Sequence, residues 1–299
     1  MTDAARPGTA SAGSGAAVAV MCTGVLCLVL SDTASKWLVE RYHPLQLLFV
    51  RSLLAAPVFA ALILWRQGPA ALRSSRPGVH VLRGCLAIAA TWAFILALRH
   101  LALDLATALI FAAPLFIAAL SKPLLGEHVG RDRWAAVVAG FAGVLVVVRP
   151  GTAAFEPAML LPILAAALYA GMMISARFVP KSDGYLTLTF WMTLVPAILC
   201  SATLLLDWPA LAPLDPWLLA MTAVFGTLGV SLISQAFRMG RASVVAPLDY
   251  TALLWASLMG WIVWGTVPSH WVYLGAAIIA GAGLYVILTE RRARRARPA

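Results

Sequence analysis

Charge is what this chain has least of. Only 11% of its 299 residues are Asp, Glu, Lys or Arg, and just 12 are acids, whereas a soluble domain carries roughly a quarter charged residues. A surface this poor in charge faces lipid, which excludes a water-soluble enzyme. Cysteine is equally scarce. Cys22, Cys27, Cys85 and Cys200 all lie inside apolar runs without CxxC spacing, so they read as small buried residues and not as a metal or redox site. His43, His80, His100, His128 and His270 all fall at expected loops, and no HExxH, DDxxD or phosphate-binding loop occurs. The only Gly-Ser-Gly, Gly13 to Gly15, lies in the N-terminal tail. These absences count against ATP-driven pumping and leave an intramembrane enzyme as a distant alternative. A net charge of +10 raises the question of nucleic acid. The basic residues sit between apolar runs and form no polar basic face, so no nucleic-acid partner is expected, and no cofactor or metal either.

What is there is apolar: 62% hydrophobic residues, with a mean hydropathy of +0.89. A membrane helix needs about 20 apolar residues. By that measure the sequence predicts an all-α integral membrane protein with ten helices, at 16–38, 44–65, 81–98, 104–122, 134–149, 158–177, 185–206, 216–237, 244–264 and 271–289. The first run lacks a basic leader and a cleavage site and reads as a retained helix, not a signal peptide. Residues 1–15 read as a disordered cytoplasmic tail and 291–299 as a basic one.

The basic residues orient the bundle. With both termini inside, seventeen Lys and Arg fall in cytoplasmic segments and four (Lys36, Arg41, Arg99 and Arg149) fall opposite, with Arg51 inside helix two. That asymmetry predicts a bacterial-type inner-membrane protein with both termini cytoplasmic. Trp37, Trp65, Trp134, Trp208, Trp217, Trp264 and Trp271 sit at helix ends, where an aromatic belt belongs.

The chain also repeats itself. An offset of 139 lays residues 97–127 over 236–266 and pairs Ala97 with Ala236, Arg99 with Arg238, Leu109 with Leu248, Ala113 with Ala252, Leu115 with Leu254 and Gly126 with Gly265. Two repeats follow, 16–150 and 151–290. Five helices in each, an odd number, make the second enter the membrane inverted.

Pro114 with LLGE at 124–127, the Gly140/Gly143 spacing, PLDYTALLWA at 247–256, and SDTASKWL at 31–38 with Arg51 downstream make the chain resemble the drug/metabolite transporter superfamily, in particular its EamA-type members. The resemblance covers about residues 16–290 and implies ten helices in two inverted repeats. The family's LxGE signature stands once. In the second copy Thr266 follows Gly265.

Charges inside a span need a reason, since each costs roughly 2.5–3.5 kcal/mol on insertion scales. Asp32 and Arg51 both lie about 9–10 Å below the outer surface at 1.5 Å per residue. They read as a clamp for a zwitterion, or as a structural pair, with Lys36 as another partner for Asp32. Tyr169, Met172, Met173 and Ala176 share one helical face, suited to varied apolar ligands or to plain packing. Trp92, Trp191 and Trp255 lie deeper than the belt, and an indole N–H there seeks a partner. Thr227, Ser231, Ser234, Gln235 and Arg238 form a polar stripe that reads as the wall of a water-filled cavity or as interhelical hydrogen bonding. Tyr250 and Trp255 join the substrate-binding candidates. Asp249 is either a solvated first-turn acid or a coupling group. Pro114 and Pro247 are the candidate hinges. Ala136/Gly140, Ala139/Gly143 and Ala277/Gly281 read as close helix contacts.

These residues, together with what the resemblance implies, predict a secondary-active or facilitative transporter that exports small metabolites by alternating access, amino acids foremost, including large apolar and aromatic ones. The alternative is a vitamin or cofactor-like substrate such as riboflavin or S-adenosylmethionine. Its partners are then the substrate and the lipid bilayer, and a monomer is expected.

Overall fold

The computed structural model describes the backbone of residues 9–126, 131–180, 182–239 and 245–295. Its helices are α1 (Thr9–Leu38), α2 (Pro44–Arg66), α3 (Pro77–Leu98), α4 (Leu103–Ile110), α5 (Ala113–Leu125), α6 (Arg131–Val148), α7 (Leu160–Ser175), α8 (Tyr185–Leu199), α9 (Asp215–Met239), α10 (Thr251–Trp264) and α11 (His270–Arg295). Seven segments are each long and apolar enough to cross a membrane, and one of them, Leu103–Ser121, runs through both α4 and α5. Trp134–Val148 and His270–Tyr285 are shorter apolar helices, and the 3-10 segment Ala246–Tyr250 lengthens α10. Among the described residues this gives ten spans in two inverted five-helix repeats. The face where α1 begins is called the near face below, and the face where α1 ends the far face.

Several boundaries differ from the sequence expectation. Helix α1 begins at Thr9, within the expected tail. Helix α11 runs on to Arg295 through TERRARR, a stretch of good helix formers that keeps the helix going beyond its apolar run. Helix α3 starts at Pro77, four residues before the expected 81, with proline in the first turn, where its fixed φ suits a helix start and its missing N–H is not needed. The fourth span is two helices, interrupted at Phe111 and Ala112. Pro114 therefore sits in the first turn of α5 and does not bend a continuous helix. Pro247 lies in the 3-10 segment, and its side chain is outside the described residues.

The repeat is visible in three dimensions. Helix α1 packs along α9, and α3 packs along α7, the equivalent pair; α2 crosses α8, and α6 crosses α11. Gly126 and Gly265 both take a left-handed conformation, with φ of 67° and 66°, which glycine adopts without the Cβ penalty. Gly265 ends α10 in this way. The same offset pairs Phe111 with Tyr250, where the chain passes from one helical segment to the next. Those two rings meet edge to face, with centroids 4.9 Å apart.

Close crossings depend on glycine. A Cβ on Gly229 of α9 would lie 2.8 Å from the Gly24 carbonyl of α1, and one on Gly275 of α11 would lie 2.7 Å from the Gly143 carbonyl of α6. Gly281, expected at such a contact, has nothing within 4 Å. The main apolar cluster joins α4 through α7 to α11 around Leu109, Leu115, Val144, Ala166 and Ile279.

Each face carries polar links between the repeats. On the near face, His80 Nε2 lies 2.8 Å from Asp183 Oδ2, and Ser74 Oγ donates to the same oxygen at 2.5 Å. Burial pushes the Asp183 carboxyl up, but the hydrogen bonds from Ser74 and His80 outweigh it and hold the group below its ordinary value. On the far face, Arg41 and Tyr42 both donate to Asp215 Oδ2, at 2.7 and 2.8 Å. Burial first, and then the Asp215 carboxylate, push the Tyr42 phenol up.

Candidate functional site

Helices α2, α3, α7, α8 and α9 enclose a cavity of about 340 Å³, within the roughly 300–1,000 Å³ typical of small-molecule sites. Its walls carry two guanidinium groups (Arg51 and Arg83), two phenols (Tyr169 and Tyr185), three thioethers (Met172, Met173 and Met192) and the hydroxyls of Ser52, Thr91, Thr189, Thr193, Thr227 and Ser234. An apolar body with a few convergent polar groups is the usual build of a ligand site.

Arg51 comes from the far half of α2. Its guanidinium lies against Gly226 of α9, so close that a Cβ there would be 2.8 Å from Cζ. Among the described residues it makes no hydrogen bond and no ion pair. Asp32, on α1, is close enough for its charge to act on Arg51, yet the two form no direct bridge and Asp32 is not in the cavity wall. Lys36 does not pair with Asp32 either. Its ammonium donates to the carbonyls of Leu98 and Leu101 at 2.7 and 2.6 Å, satisfying the last turn of α3 and the turn after it.

Arg83 comes from the near half of α3. It is 2% exposed, and its Nη1 donates to the Met172 carbonyl at 2.8 Å. Helix α7 tightens there, and the Ala176 N–H turns to Met173 and Ile174 instead of Met172, so the Met172 carbonyl accepts from Arg83 and from Ser175 Oγ, the latter at 2.7 Å. The Nε of Arg83 is buried without a partner. Tyr169 is near enough to interact with Arg83 and with Asp249. It is 41% exposed although it belongs to the middle of the bundle, because its ring faces the cavity. Tyr185 closes one side by donating to Ser234 Oγ at 2.8 Å, which ties α8 to α9.

The structure therefore brings together Arg51, Tyr169 and Met172 from the sequence candidates. It does not bring the tryptophans there. Trp92 lines a separate apolar surface groove with Cys85 and Cys200. Trp191 stacks on His80, with centroids 5.3 Å apart, and Trp255 packs among α1, α4 and α9; both indole N–H groups are buried without partners. Tyr250 packs against Phe111, and its hydroxyl is also unpartnered. Of the polar stripe on α9, Thr227 and Ser234 face the cavity. Ser231 is outside its wall and bonds back to its own helix at Thr227 O, while Gln235 is exposed outside it; the side chain of Arg238 is outside the described residues. Asp249 keeps exposed surface in the bundle and lies within electrostatic range of Tyr169 and Tyr250.

Arg83, Tyr185, Thr189, Met192 and Thr193 were not anticipated. Arg83 counts among the cytoplasmic-side basic residues when α3 is expected to start at 81, which puts it in the first turn; the helix starts at Pro77 and puts it nearly two turns in. The signal for placing it inside was Pro77, a helix-start residue, six positions earlier.

A ten-span bundle of inverted repeats around a central cavity with free cationic and aromatic groups defines a membrane transporter of small molecules. The EamA-like transporter family pattern matches twice, at residues 15–149 and 156–289, and the chain belongs to that family. It is 30% identical over 276 residues to an S-adenosylmethionine uptake transporter of Rickettsia prowazekii, covering 91% of this chain and 93% of that protein. It is 32% identical over 243 residues to a riboflavin transporter of Rhizobium johnstonii (80% and 79% covered). A pseudopaline exporter of Pseudomonas aeruginosa is 25% identical over 250 residues (82% and 87%). A solved crystal structure matches with a TM-score of 0.58 at 20% identity, over 93% of this chain and 99% of that one, which supports the fold alone. These relatives are named as transporters, not enzymes.

Proposed function

We propose that this protein is a secondary transporter for S-adenosylmethionine or a metabolite of the same build, in which a zwitterionic amino-acid group is joined to a flat heteroaromatic ring. The observation that carries this is Arg51, a guanidinium in the cavity wall with no hydrogen-bond partner of its own among the described residues, and with the Asp32 carboxylate outside the wall but within electrostatic range. A substrate carboxylate supplies the acceptors that Arg51 lacks, and a cationic substrate centre is drawn to Asp32. The phenols and thioethers of α7 and α8 suit a planar ring. A free amino acid would use the charges and leave the aromatic half idle. Amino-acid export thus gives way to a larger, cofactor-like substrate, which agrees with the names of the relatives. Riboflavin is the second reading. It matches the aromatic walls but has no carboxylate or ammonium for Arg51 and Asp32.

The remaining expectations belong to the same proposal. The near face is cytoplasmic, with both termini on it; removing Arg83 from the loop count leaves the basic asymmetry intact. Alternating access exchanges the links on the two faces. Asp249 is the coupling group, within electrostatic range of Tyr169. A monomer is part of the same reading, and uptake is the direction for which the S-adenosylmethionine relatives are named.

Counterflow in proteoliposomes tests the reading. Liposomes preloaded with unlabelled S-adenosylmethionine are expected to accumulate the labelled compound, and those preloaded with leucine or tryptophan are not. Counterflow of riboflavin or of free amino acids with none of S-adenosylmethionine would overturn it.

A further inference from the structure

Arg83 is half used. One nitrogen of its guanidinium is anchored on the Met172 carbonyl of α7, while Nε is buried with no acceptor. A simple cross-link between α3 and α7 needs only the first of these bonds. A buried guanidinium N–H left without a partner is unfavourable, and Arg83 lines the cavity, so a ligand seated there can meet it.

The position of Arg83 says which part of a ligand that is. Arg51 lies seven residues in from the far end of α2 and Arg83 six residues in from the near end of the antiparallel α3. At 1.5 Å per residue this separates them by about 14 Å in depth across a span of about 33 Å. The two arginines thus stand at opposite ends of one cavity. Arg83 is near Tyr169 and bonds to Met172, and with Met173 these line the same cavity, a soft wall for a flat ring. The Asp249 carboxylate also acts on Tyr169. A second acid group on the ligand would be repelled by Asp249; uncharged ring nitrogens and carbonyls would not.

We infer that Arg83 is a second recognition point of the cavity, donating hydrogen bonds to in-plane acceptor atoms of a heteroaromatic ring seated against Tyr169. Arg51 reads the charged end of the ligand and Arg83 reads the ring. This deepens the proposed function and rests on its placing the substrate in this cavity.

The test measures binding of separated ligand halves to the full chain in nanodiscs. Adenosine and lumiflavin carry a ring without the amino acid; methionine carries the amino acid without the ring. Arg83→Gln is expected to weaken adenosine and S-adenosylmethionine by about tenfold or more and to leave methionine within twofold. Arg51→Gln is expected to do the reverse for the two halves. Arg83→Lys keeps the positive charge near the Met172 carbonyl and guards against a folding defect. It supplies the same ratio, because a point charge replaces the planar fork. Equal losses for adenosine and methionine in both Arg83 variants would overturn the inference, as would wild-type protein that binds neither ring. If S-adenosylmethionine fails to bind but lumiflavin binds and is weakened by Arg83→Gln, the proposed substrate falls and the ring-reading role of Arg83 stands.

Discussion

Replacing Gly226 by alanine moves one functional group without deleting it. The Arg51 guanidinium lies on the bare backbone of Gly226, and a Cβ there would come within 2.8 Å of Cζ and 2.9 Å of Nε. Those atoms end a flexible side chain, so the helices need not part; the guanidinium swings away instead. The substitution also removes a glycine from the interior of α9, which favours folding by roughly 0.5–1 kcal/mol. Thermal stability should therefore stay level or rise. Ligand affinity should fall, because a charge-assisted hydrogen bond contributes about 1.5–3 kcal/mol and each 1.4 kcal/mol is tenfold. Gly226→Ala should thus weaken the transported substrate by about tenfold or more and mimic Arg51→Gln, with no further loss when the two are combined. Titration of substrate against the purified protein, beside a thermal unfolding scan, reads both quantities. Unchanged affinity, or a loss matched by a comparable drop in stability, would refute the role given to Arg51.

Three further substitutions probe other parts of the structure. Asp183→Asn should flatten the acid limb of stability: the folded carboxyl is held below its ordinary value, so its contribution is present above the unfolded value of about 3.9 and is lost as pH falls through the lower folded one, as thermal scans from pH 7 to pH 3 would register. Tyr250→Phe should leave transport intact and stabilise by about 1 kcal/mol, because it removes a buried hydroxyl that has no partner; a transport defect would return Tyr250 to the substrate site. Gly143→Leu should destabilise strongly, since even a Cβ there lies 3.0 Å from the Gly275 carbonyl and backbone cannot rotate away; a wild-type melting temperature would contradict the α6–α11 crossing.

Seven spans were legible because each is an apolar run of membrane length, and the repeat was legible because Gly126 and Gly265 stand at the same offset, where each takes a left-handed turn. The face formed by Tyr169, Met172 and Met173 followed from helical spacing alone. The interruption at Phe111 was not legible: FAAP is as apolar as its surroundings, and hydropathy registers length without continuity. Arg83 was missed through a four-residue difference at the start of α3, enough to move a charge from the first turn at the membrane face to well inside the bundle. The three deep tryptophans show the other limit. Depth along a helix says how far a side chain lies from water, while its direction depends on which helices surround it. Trp92, Trp191 and Trp255 turn to the surface groove, to His80 and to the α1–α9 contact.

The account rests on the space between Arg51 and Arg83 being where the substrate sits. Thr193 lines that space. In a background with Cys22, Cys27, Cys85 and Cys200 replaced, Thr193→Cys should react with a small hydrophilic thiol reagent, and saturating S-adenosylmethionine should slow that reaction by at least about tenfold. Labelling at an unchanged rate in the presence of a compound that the same protein demonstrably transports would contradict it.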